Sequence, residues 1–259
     1  MALTLEQVKV NDYRFIYDFY SLGAWAHQYT ATALYHEAQR IPDDHNIEIE
    51  DKPRIQMVLR AKIFAEAVAS METIGKLLFA IKSRGTDGIA SQFVNGSESH
   101  SERGLRMFHS TNSTVSELLD LPTADELQSL ISGEDVGDFM ERLKRVMEGI
   151  FQAYLEPNSS GREMKSIVEA YRAIKHGNCL SVDPRTVSVV NVSARQGHVW
   201  MITRWPRRNE TMDKLNIKEI GLAEDQVIND MRICEQVATC MSNLCSVLIR
   251  LLEAGKLTY

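Results

Sequence analysis

Between Leu222 and Glu253 the chain carries Val227, Met231, Cys234, Ala238, Met241, Cys245, Leu248 and Leu252 at spacings of 4, 3, 4, 3, 4, 3 and 4 residues. Apolar residues on that period over nearly four heptads make a long helix with a seam, and a seam has to pack along another helix. The rest of the chain must therefore supply long partner helices. The seam fits the interior of one bundle or the face between two copies, and the bundle is the commoner use of a single such helix.

Two segments qualify as partners. Residues 11–40 contain no proline and stop before Ile41-Pro42-Asp43-Asp44, which predicts one long helix, with Tyr13, Tyr17, Tyr20 and Trp25 packing against something. A second helix starts at Asp51-Lys52-Pro53 and ends at Arg84-Gly85, with Ile55, Leu59, Val68, Met71, Leu78 and Ile81 as its apolar face. Helices this close in sequence predict an antiparallel hairpin. Residues 83–113 are rich in Gly, Ser and charge, which predicts a mobile loop. Short helices follow at 114–119 and 123–131, the latter opened by a Thr-x-x-Glu capping box, and a longer one at 135–155.

The helix from 159 to 177 puts Met164, Ile167, Tyr171 and Ile174 on one face and stops at Gly177, with Lys175 and His176 in its last turn. The period then changes. TVSVVNV at 186–192 and HVWMITR at 198–204, joined by a connection containing Gly197, read as a β-hairpin. The expected fold class is mainly α: one helical-bundle domain over 1–259, with long antiparallel helices and one hairpin inserted at about 186–204.

Charge is unevenly spread. Between Ala170 and Asn209 stand Arg172, Lys175, Arg185, Arg195, Arg204, Arg207 and Arg208 against the single acid Asp183, so this stretch carries +6. The whole chain of 259 residues carries −6, which leaves −12 for the remainder. A basic hairpin at 184–209 with Trp200 and Trp205 among its arginines suits phosphate or single-stranded RNA contact, and equally suits an acidic surface of the same protein. Lys165, Glu169, Arg172 and His176 form one polar stripe on the preceding helix, where an arginine can hold a phosphate and a histidine can move a proton. A solvated helix end gives the same pattern.

Other chemistries lack their residues. The sequence has no GxGxxG, GxxxxGK[ST] or GxSxG motif and no Glu-x-x-His pair for a di-metal bundle, so no cofactor and no metal site is expected. His27 and His36 lie nine residues apart on opposite sides of a helix, His45-x-x-Glu48 falls in a loop, and His100 and His109 lack partners at metal spacing. Cys234, Cys240 and Cys245 on the last helix read as buried free thiols. No apolar run is long enough to cross a membrane, and MALTLEQVKVNDYR lacks a signal-peptide pattern, so the expected location is cytoplasmic.

The helix ending Tyr171-x-x-Ile174-Lys175-His176-Gly177 resembles those of HEPN-like helical proteins, closely over about 159–180 and only in outline elsewhere. The resemblance implies a helical bundle, a homodimer, membership of prokaryotic defence systems and, in active members, a metal-independent ribonuclease site in which Arg172 and His176 meet across the dimer. The family's active pattern sets four to six residues between arginine and histidine. Here Ala173, Ile174 and Lys175 alone intervene. The leading expectation is thus a binding or assembly module that touches RNA or another polyanion through Lys175, Arg185, Arg195, Arg204, Arg207 and Arg208. A ribonuclease using Arg172 and His176 is the alternative, and a small-molecule sensor the next.

Overall fold

The computed structural model describes residues 3–109, 111–130, 135–154, 198–204 and 216–259, the pair Cys179–Leu180 and the single helical positions Tyr171 and Ile174. The chain is mainly helical: α1 (Leu5–Ser21), α2 (Ala26–Arg40), α3 (Lys52–Lys82), α4 (Gly88–Val94), α5 (Glu98–Arg106), α6 (Val115–Leu119), α7 (Ala124–Gln128), α8 (Val136–Tyr154) and α9 (Glu224–Glu253). A small sheet holds β1 (Cys179–Leu180), β2 (His198–Arg204) and β3 (Asn216–Gly221).

The chain divides into two compact units. The first comprises Met1–Ala26, Ala69–Ser159 and Glu235–Tyr259; the second comprises His27–Val68 and Ser160–Cys234. The seam of α9 is buried within the chain itself, with Val227, Cys234, Met241, Cys245 and Leu248 fully inaccessible and Ala238 1% exposed. The other two seam positions, Met231 and Leu252, are half-buried.

In the first unit the helix expected over 11–40 is broken. Thr4 caps α1 through a capping box with Gln7, and α1 ends at Leu22, whose φ of −135° and ψ of −50° leave the helical region. A 3-10 turn at Gly23–Trp25 follows before α2 begins. The reason is packing at Gly23, where a Cβ would lie 2.7 Å from the Phe19 ring, so the chain turns tightly over that ring before resuming. Phe15, Phe19 and Phe93 cluster with ring centroids 5.1 to 5.7 Å apart, which ties α1 to α4.

The mobile loop expected at 83–113 is also corrected. It folds into a 3-10 turn at Gly85–Asp87, α4 and α5, and it buries Ile89, Leu105 and Phe108. Polar composition misled because polar side chains cap these helices. Ser97 forms a capping box with His100, whose ring stacks on Phe79 at 4.4 Å. Buried Asp12 of α1 accepts the backbone N–H groups of Ile89 and Ala90, each at 2.8 Å, and so caps α4 from a distant element. Thr114 with Glu117 and Thr123 with Glu126 cap α6 and α7, the second as the sequence predicts. Helices α5, α6 and α7 pack on α8.

In the second unit α2 and α3 form the expected antiparallel hairpin. His27 pairs with Glu66 at 2.7 Å near the start of α2, and Gln56 donates to the Ala38 carbonyl near its end, so positions rise on one helix as they fall on the other. The sheet order is β1-β2-β3, and all pairs are antiparallel. The hairpin expected at 186–204 is not seen. Its first arm lies outside the described residues, and its second, β2, pairs Cys179 with Met201 and Val199 with Ile220. β3, NIKEIG, gave little warning, because its two isoleucines are interleaved with charge and amide residues.

Candidate functional site

Strand β2 sits in the middle of the sheet and leads into the basic segment. Its register with β3 slips between Ile202 and Arg204, so Thr203 is an added residue and Arg204 pairs with Asn216 beyond a bulge. A bulge bends the strand and strengthens its twist, and here it falls just before Arg204. Arg172, Lys175, His176, Arg185, Arg195, Arg207 and Arg208 lie outside the described residues. Tyr171 and Ile174 are both half-buried helical positions three residues apart, which is the spacing of the apolar face expected there.

The end of the sheet is anchored by a charge cluster that sequence reading missed. β3 passes directly into α9, whose first residue, Glu224, accepts from Tyr35 Oη at 2.8 Å, Gln39 Nε2 at 2.9 Å and Arg60 Nη2 at 2.6 Å. Arg60 Nη1 also donates to the Leu222 carbonyl at 3.2 Å. The carboxylate is thus held by two helices and stands at the positive end of α9's dipole. Hydrogen bonding to Glu224 pushes the Tyr35 hydroxyl above its ordinary pKa, with burial adding to the effect. A carboxylate with three donors is a fastening and not a free base. The only signal in the sequence was the separation of Tyr35 and Gln39 by one helical turn.

The first unit holds an open groove of about 870 Å³, bordered by Thr114, Glu117, Asp120, Met140, Lys144 and Arg145 among others. Several of its polar groups are engaged within the chain. Glu117 caps α6, Asp120 pairs with Lys82 at 2.7 Å, and Lys144 donates to the Thr111 carbonyl at 2.8 Å.

No group of three metal-ligating side chains gathers among the described residues, and none of their helices is long and apolar enough to cross a membrane. Cys234, Cys240 and Cys245 are buried, as expected. Burial pushes the Cys240 and Cys245 thiols up from 9.0 to about 12. Their raised folded-state values place the stabilisation in full below pH 9.0, with loss as pH rises towards about 12, because only the unfolded chain ionises in that window. Urea midpoints measured between pH 8 and pH 11 should fall with alkalinity, and Cys240→Ser with Cys245→Ser should flatten the decline.

The chain matches no protein-family model, no curated protein and no solved structure.

Proposed function

We propose that the chain is a binding or assembly module that contacts single-stranded RNA through the basic segment 170–209, within a helical fold of the HEPN-like kind. The observation that carries this reading is charge segregation: +6 over those residues in a chain of net −6. A backbone polyanion rewards such a concentration through counterion release, and Trp200 and Trp205 supply faces on which bases can stack. The short interval between Arg172 and His176 favours holding the strand over cutting it.

The test is an RNA-binding titration across salt. Affinity should fall with salt on a log–log slope of about −0.7 for each phosphate contacted. The triple variant R195E/R207E/R208E should weaken binding at least about tenfold and flatten that slope. RNA cleavage abolished by His176→Ala would replace the proposal with the ribonuclease reading, and salt-insensitive or absent binding would end it.

A further inference from the structure

The groove of the first unit runs along α8, which lines one wall between Gly137 and Glu148, while the segment 112–124 lines the other. Its base is apolar, with Val115, Leu121 and Met140 only 2 to 8% exposed. Ser116 also lines it and is 7% exposed, and no hydrogen bond occupies its hydroxyl among the described residues. The Asn112 amide beside it is equally unoccupied. Most of the surrounding charge is engaged. Asp120 pairs with Lys82, Glu117 caps α6, and Lys144 is held by the Thr111 carbonyl with Glu148 at 4.0 Å. Glu141 and Arg145 remain. Both are exposed, and no ion pair joins them to each other or to another described residue, although a glutamate one turn before an arginine is the order that favours pairing.

We infer that this groove binds a short peptide with free ends, about two or three residues long, its ammonium on Glu141 and its carboxylate on Arg145. One uncommitted anion and one uncommitted cation on the same wall complement a zwitterion, and a guanidinium fork takes a carboxylate through two parallel bonds. The two positions stand about 6 Å apart along the helix. An extended dipeptide or tripeptide spans roughly 7 to 10 Å, a difference that two long side chains absorb. Ser116 and Asn112 can bond the peptide groups between the ends, and the apolar base suits an aliphatic side chain. The volume of about 870 Å³ leaves room for such a ligand. A continuous polypeptide fits less well, because the walls are tied together near both ends, by Lys144 on the Thr111 carbonyl and by α7 packed on α8.

Peptide binding here does not rest on the RNA-binding reading, and its test uses the full chain without RNA. In isothermal titration, alanyl-leucyl-alanine with both ends free should bind. Acetylating its amine or amidating its carboxylate should each weaken binding by about tenfold. Glu141→Gln should bind the free and acetylated peptides alike, and Arg145→Gln the free and amidated peptides alike, because each variant lacks the group that reads the altered end. Ser116→Ala should weaken all three peptides to the same degree, by about threefold to fivefold, with an unchanged Tm. Failure of the free peptide to bind at about 5 mM overturns the inference. Binding indifferent to both caps does the same, as do cap penalties that persist in both glutamine variants.

Discussion

Gly104→Ala will destabilise the protein by roughly 3 kcal/mol. The cause is the crossing of α3 and α5 in the first unit. A Cβ on Gly104 would lie 1.9 Å from the Gly75 carbonyl oxygen, and one on Gly75 would lie 2.4 Å from the Ser101 carbonyl oxygen. Those obstacles are backbone atoms, so no rotamer change can relieve the clash; the helices must separate. Separation strips contacts from Ile74, Leu78 and Leu105, each 4% exposed or less. Thermal unfolding should show a fall in Tm of about 6 to 12 °C for a chain of this size. Gly149→Ala supplies the opposite sign. Gly149 lies inside α8 with nothing within 4 Å of an added Cβ, so alanine should stabilise by about 0.5 to 1 kcal/mol through helix propensity. Equal effects at the two positions would disprove the close crossing.

That crossing shows where sequence reading ran out. Periodic apolar positions located α3, α8 and α9 to within a few residues, because burial of a helical face forces a repeat that composition cannot hide. Local caps were also legible: Thr123 and Glu126 form their box within four residues. Segment 83–113 was misread because its fixings come from elsewhere. Asp12 caps α4 from 77 residues away, and Gly75 leaves room for Gly104. A lone aspartate among aromatics and two glycines in different segments carry no periodic signal, since their partner is chosen by the tertiary fold. The same holds for Glu224, whose donors come from α2 and α3. Of the candidate site, the excess of arginine was readable as composition, while the bulge before Arg204 depends on pairing with a strand that has no strong β pattern.

Arg84 is the second position where a single change should be severe. Read from sequence it is the last charge before a helix-ending glycine; in the structure it is 4% exposed. Its guanidinium donates to the carbonyls of Ile81, Leu119, Asp120 and Thr258 and reaches the Thr258 hydroxyl. Ile81 and Leu119 lie in the last turns of α3 and α6, so the cation answers the negative ends of two helix dipoles as well as their unpaired carbonyls. Burial lowers the arginine's pKa, and the negative charge of Asp120 opposes that shift. The bond to Thr258 draws in the segment after α9, where Leu257 is buried and Tyr259 sits beneath Lys9, 6.0 Å from the ring centroid. Arg84→Met fills much of the volume but leaves four carbonyls without a donor, which should cost about 3 to 5 kcal/mol. Arg84→Lys should recover only part of the loss, because an ammonium cannot span carbonyls that diverge around a planar fork. Hydrogen exchange should separate this from general loosening. In Arg84→Lys, protection should collapse first at 254–259 and around Asp120 while the middle of α9 stays protected; uniform loss along α9 would show that Arg84 does not fasten the tail.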